Sequence, residues 1–194
     1  MVKSIGLKKV NTAVFISGTG SNLKNLINFS FIKKSPININ FVISDKKKAK
    51  GLNYAIKFKL KKKIYNFKNR KLDEKKILLD LKKNKIKLVC LAGFMKILSK
   101  GFIKKFNGKI INIHPSLLPK YKGLKTHERA LKNKEKFSGC TVHYVSSKLD
   151  SGKIILQKRV KISKNDTENT LARKVLKKEH KLYPEAIKKV ISNL

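Results

Sequence analysis

The sequence has no tryptophan, two cysteines and 11 acidic residues among 194, and none of its apolar runs is long. Each shortage excludes a class of protein. Cys90 and Cys140 lie far apart, each inside an apolar stretch, in neither zinc-site nor redox-pair spacing, so both are expected to be reduced core residues. That usage fits a cytoplasmic location. A membrane-spanning helix needs ~18 or more consecutive apolar residues, and no segment approaches this. The opening MVKSIGLKKVNT has no apolar stretch of signal-peptide length, so no leader is expected.

The scarcity of acid leaves 49 Lys+Arg and a formal net charge of +38. Such a balance first suggests a nucleic-acid or membrane-surface protein. Only Arg70, Arg129, Arg159 and Arg173 are arginines, and lysine is the weaker residue for bidentate reading of phosphates and bases. The lysines are spread along the whole chain beside abundant Asn and Ile, with no aromatic residues interleaved on a recognisable binding motif. We read them as solvated surface positions. They give weak, salt-sensitive attraction to polyanions and predict no specific nucleic-acid partner and no membrane partner.

Hydrophobic residues make up 41% of the chain and cluster into runs bounded by turn residues, which is the pattern of a globular protein. The length suits one core, so residues 1–194 are expected to form a single domain. TAVFIS (12–17), NINFVIS (38–44), KKIYNF (62–67), KLVCLAGF (87–94) and GKIINIH (108–114) read as strands. Helical spacing recurs in residues 23–32, 49–58 and 72–83, the last with Asp73 and Glu74 placed to complement its dipole. Alternating strands and helices predict an α/β fold: a doubly wound, mostly parallel sheet of Rossmann type with helices on both faces. FSGCTVHYV and KIILQKRVKI then predict an antiparallel addition near the C-terminal part. Residues 167–193 read as a closing helix, broken or kinked at Pro184.

Three places carry candidate chemistry. In SGTGSN, glycines leave a strand and Ser21 and Asn22 open a helix, which suits either a phosphate cradle or a tight turn capped by Ser21 or Asn22. A dinucleotide fingerprint needs a third glycine where Leu23 stands, although Asp45 ends the second strand where a ribose-binding acid could sit. In INIHPSLLPKYKG, Asn112 and His114 are two residues apart on a strand and therefore share a face, and Pro115 and Pro119 keep the following segment out of helix. An imidazole there can act as acid or base, and the amide can donate to an oxyanion. Asp150, in KLDSGK, is good turn chemistry taken alone; beside His114 it would raise the imidazole's proton affinity. His143 and His180 have no such company and read as structural groups.

In order along the chain, SGTGSN, LAGFMKIL, INIHPSLLPKYKG, THERAL, GCTVHYV, LDSGKIILQ and EHKLYP resemble the folate-dependent phosphoribosylglycinamide formyltransferases. HPSLLPKYKG alone would indicate the wider group that also holds methionyl-tRNA formyltransferase and formyltetrahydrofolate deformylase. GTGSN and THERAL narrow it, as does a length too short for the tRNA enzyme's usual extra carboxyl-terminal domain. The resemblance implies formyl transfer from 10-formyltetrahydrofolate to the amine of glycinamide ribonucleotide in purine biosynthesis, with no metal. It implies catalytic roles for Asn112, protonated His114 and Asp150, the first two stabilising an oxyanion and the third keeping His114 charged. It places the substrate phosphate on Gly18, Thr19, Gly20, Ser21 and Asn22, with Glu179 a further substrate contact. Formylfolate would lie against Arg70, Met95, Lys96, Ile97, Leu98, Asn112 and the loop from Ser146 to Asp150. The departures are Lys96 for a common arginine, Lys122 for a usual proline, and Leu176 for a polar contact. A homodimer is left open.

Overall fold

The computed structural model describes residues 9–192. Along the chain run β1 (Val10–Ile16), α1 (Ser21–Phe31), β2 (Ile37–Ser44), α2 (Leu52–Lys57), β3 (Lys61–Ile64), α3 (Arg70–Lys83) and β4 (Leu88–Leu91). They are followed by α4 (Lys100–Lys105), β5 (Lys109–His114), α5 (Thr126–Lys132), β6 (Phe137–Tyr144), β7 (Ile154–Lys161) and α6 (Glu168–Ile191). One sheet has the order β3-β2-β1-β4-β5-β6-β7. The pairs among the first five strands are parallel, and β5–β6 and β6–β7 are antiparallel. This is the doubly wound sheet with an antiparallel addition that the strand–helix rhythm predicts.

The central strands are apolar because both faces are covered. In β1, Val14 and Ile16 pack with Leu23 and Leu26 of α1 and Tyr183 of α6, while Ala13 and Phe15 face Ile77 of α3 and Phe102 of α4. Burying one such large aliphatic or aromatic side chain is worth about 1.5–3 kcal/mol, and strands buried on both faces collect this on every residue. Cys90 and Cys140 belong to the α1/α6 side as free thiols, and burial pushes both up to about 12, so neither is a thiolate near neutrality. β3 is a fully exposed edge strand of sequence KKKI, where lysines discourage pairing with another chain.

Two features differ from the sequence expectation. Helix α6 continues through Pro184 without a break. Proline cannot donate to the carbonyl four residues earlier, and that carbonyl, of His180, instead accepts from Asn25 Nδ2 of α1 at 2.8 Å. The short helices α4 and α5 were not apparent in the apolar pattern; α4 is started by Ser99, whose hydroxyl accepts from the Phe102 amide at 3.0 Å. Among the described residues, no helix is long and apolar enough to cross a membrane.

Candidate active site

The chain leaves β1 toward β2 and leaves β4 toward β5, so the strand order reverses between neighbours β1 and β4. A crevice is expected outside the carboxyl ends of strands at such a point. A cavity of about 780 Å³ is found there, bounded by the loop after β4, the end of β5, the 145–150 loop and α6. The loops are tied together at its floor. Ser17, just after β1, donates its amide to Gly93 O at 3.1 Å and accepts from the Met95 amide at 2.8 Å on its hydroxyl. Tyr183 donates its hydroxyl to Leu91 O at 2.9 Å, fixing α6 to the end of β4.

Asn112, His114 and Asp150 all line this cavity. In β5, Ile111 and Ile113 belong to one core cluster and Ile110 to the other, so Asn112 and His114 do share a face. The loop after β6 brings Asp150 back until its Oδ2 stands 3.4 Å from His114 Nδ1. The same oxygen accepts from the Gly123 amide at 2.9 Å, joining the proline-rich segment to the carboxylate. His114 Nε2 is 2.8 Å from Tyr121 O. A carbonyl only accepts, so Nε2 carries hydrogen and Nδ1, facing Asp150, is where the second proton would go.

The charging of His114 that the resemblance implies is opposed by its surroundings. Burial pushes the imidazole below its ordinary value, outweighing the upward push of the Tyr121 carbonyl and Asp150; nearby His143 and Arg129 add to the lowering. Asp150 itself is raised by burial, but the nearby His143, the Gly123 amide and the proximity of His114 hold it below the ordinary carboxylate range. Both shifts favour a neutral imidazole beside a carboxylate.

His143, which reads as structural in sequence, is the cross-strand partner of Asn112 and lines the cavity. Its Nδ1 lies 2.8 Å from Tyr144 O and must donate, which leaves Nε2 to accept from Asn112 Nδ2 at 3.2 Å. His143 thus orients the Asn112 amide. Its period-two spacing from Thr141 was visible in sequence, but the register that sets it opposite Asn112 was not.

Glu179 lines the cavity from α6 and accepts from Asn22 Nδ2 at 2.7 Å. Burial raises Glu179 above its ordinary value, and the Asn22 amide only partly offsets this. Of the five turn residues, Asn22 alone lines the cavity wall. Neither Ser21 nor Asn22 caps α1; Gly20 does, at φ 77°, with no side-chain cap bond. The first intrahelical bond runs from the Lys24 amide to Gly20 O, so the amides of Ser21, Asn22 and Leu23 precede it and point out of the helix end.

Met95, Lys96, Ile97 and Leu98 also line the cavity, as do Ser146 and Leu149, and Leu176 lines it from α6 one turn before Glu179. Arg70 is not part of that lining; it opens α3 and reaches Glu74 at 3.2 Å. Lys122, in the usual proline position, donates from Nζ to Ser151 Oγ at 2.7 Å, joining its loop to the segment after Asp150.

The buried histidines give a pH prediction. Burial lowers His114, His127 and His180 from the ordinary 6.5. Below that value the unfolded chain binds more protons than the folded one, so their contribution is full above it and is lost as pH falls through the folded values. Glu179 works oppositely, since its raised value means that ionisation above the ordinary 4.5 weakens the fold. The melting midpoint is expected to fall from about pH 7 to about pH 5. His180→Gln, away from the cavity, should flatten that slope. A midpoint that stays level or rises on acidification contradicts this account.

Residues 10–187 match the formyl transferase family. The chain is 45% identical over 188 residues to a human trifunctional purine biosynthetic protein, covering 95% of this chain and 19% of that protein. It therefore spans about a fifth of the length of such relatives. It is 37% identical over 181 residues to the phosphoribosylglycinamide formyltransferase of Escherichia coli, covering 92% of this chain and 85% of that one. The phosphoribosylglycinamide formyltransferase structure from Brucella melitensis superposes with a TM-score of 0.89 at 43% identity, covering 94% and 95% of the two chains. With this cavity, this sheet and matches across nearly its full length, the chain belongs to the phosphoribosylglycinamide formyltransferase family.

Proposed function

We propose that the protein transfers a formyl group from 10-formyltetrahydrofolate to the amine of glycinamide ribonucleotide. The observation that carries this reading is the meeting of Asn112, His114 and Asp150 in a cavity that Asn22 and Glu179 also line. The acceptor phosphate binds the free amides at the start of α1, which carry the positive end of the helix dipole. Glu179 and the unpartnered Asn22 Oδ1 face the rest of the acceptor. The pterin lies in the apolar wall of residues 95–98, and the Arg70 fork meets a donor carboxylate.

In the reaction, the neutral amine adds to the formyl carbon and the carbonyl electron pair moves onto oxygen. That oxyanion accepts from Asn112, whose orientation His143 sets, and from His114 Nε2–H, displacing the Tyr121 carbonyl. The attacking nitrogen's surplus proton passes to His114 Nδ1, directly or through solvent, where Asp150 stabilises the imidazolium formed. Collapse breaks the bond to folate N10, which receives the proton. This relay needs an imidazole that is neutral before the amine adds, and burial of His114 favours that form.

An absorbance assay with formylfolate and glycinamide ribonucleotide tests the reading. Formylation that requires the ribonucleotide is expected. Release of formate without it would establish a deformylase instead, and transfer to methionyl-tRNA in place of the ribonucleotide would establish the tRNA-directed activity.

A further inference from the structure

Glu74 reads in sequence as one of two acids complementing a helix dipole, but it is only 6% exposed and turns inward. Its Oε1 accepts from Arg70 Nε at 3.2 Å and from the Ser99 amide at 2.8 Å, and its Oε2 accepts from the Ser99 hydroxyl at 2.5 Å. Ser99 directly follows the cavity-lining segment 95–98 and also caps α4. One carboxylate therefore joins the start of α3 to the end of the loop that walls the cavity. Arg70 spends only Nε on Glu74, and no other hydrogen bond to its guanidinium is seen among the described residues. Its terminal nitrogens, nearly half exposed with the rest of the side chain, remain as a fork for a planar anion.

We infer that Glu74 is a positioning residue for the donor: it aims Arg70 at the donor's glutamate carboxylate and fixes that cation relative to the 95–98 wall. This rests on the formylfolate reading above. Freed from Glu74, a guanidinium on the first turn of an exposed helix would sample many rotamers, and ordering it on binding would cost conformational entropy. The effect belongs to the tail of the donor. It should not reach the acceptor or the chemical step.

The test compares two donors, 10-formyltetrahydrofolate and 10-formyltetrahydropteroate, which lacks the glutamate. Glu74→Ala should raise KM for the first by roughly tenfold, equivalent to about 1.4 kcal/mol. KM for the ribonucleotide and kcat should stay within about twofold, and KM for the truncated donor should rise clearly less than KM for the full donor, because only the full donor carries the tail carboxylate. Glu74→Gln, which keeps one acceptor oxygen and the side-chain volume, should fall between Glu74→Ala and the parent. It decides the matter if the alanine variant does not fold. An equal rise for both donors, or an unchanged or lowered KM for the full donor, overturns the assignment. If the unmodified protein already fails to distinguish the two donors, the Arg70 contact itself is wrong and the inference falls with it. A parent preference that survives both substitutions removes Glu74 alone.

Discussion

His114→Ala is expected to lower kcat by about 10²–10⁴-fold, the range for loss of a positioned acid–base group. The substitution also removes one of two oxyanion donors, a loss typically worth about 10²–10³-fold, so the upper part of that range is expected. Asp150→Ala should lower kcat less. It leaves the imidazole in place but removes the charge that would hold the transferred proton, and it also releases the Gly123 amide that ties down the loop. KM for the ribonucleotide should change little in either variant, because the proposed phosphate contacts lie on α1. Steady-state kinetics on purified, folded variants checks this, and near-parental kcat for His114→Ala contradicts the assigned role. The double variant should be little worse than His114→Ala alone, since the carboxylate acts through the imidazole.

Gly20→Ala should damage both acceptor binding and the fold. A Cβ at Gly20 would stand 2.5 Å from Gly51 Cα, a contact with backbone that no side-chain rotation relieves. The residue also has φ 77°, where an L side chain costs about 1–2 kcal/mol. Overpacking adds about 1–3 kcal/mol. For a domain of this size the melting midpoint should fall by roughly 5–15 °C. To relieve the clash, the turn and the start of α2 must separate, which moves the amides of Ser21 and Asn22 off the phosphate. KM for the ribonucleotide should then rise at least ~10-fold. Gly18→Ala is the control for stability, since a Cβ there meets nothing within 4 Å. Calorimetry and kinetics on the two variants decide the point. A Gly20→Ala protein that melts and binds acceptor like the parent contradicts the cradle.

The sequence made the strands legible because β1, β4 and β5 are buried on both faces and therefore appear as continuous apolar runs. It made Asn112 and His114 legible as a pair because alternation on one strand is local. The site's other half depends on pairing across strands and on loops. Asn112 faces His143 only because β6 runs antiparallel at that register, and no periodicity in either strand states the register. The continuity of α6 was missed for a related reason. Pro184 removes a local hydrogen bond, and the donor that satisfies the freed carbonyl comes from Asn25, 155 residues from His180 in the chain. Glu74 was misread because a carboxylate in the early part of a helix has a sufficient local explanation, whereas its partner Ser99 is 25 residues away. The resemblance implies a His114 charged by its neighbouring carboxylate, whereas the burial of the imidazole, which the sequence does not state, pushes the other way.

The most direct test of the central claim is a crystal structure with glycinamide ribonucleotide and a formylfolate analogue that cannot transfer its group. The account predicts the phosphate on the amides at the start of α1. It also predicts the acceptor amine about 3–3.5 Å from the carbon replacing the formyl carbon, with Asn112 and His114 converging on the oxygen. A phosphate bound elsewhere, or a donor whose N10 lies outside the space between Asn112 and Asp150, would contradict it.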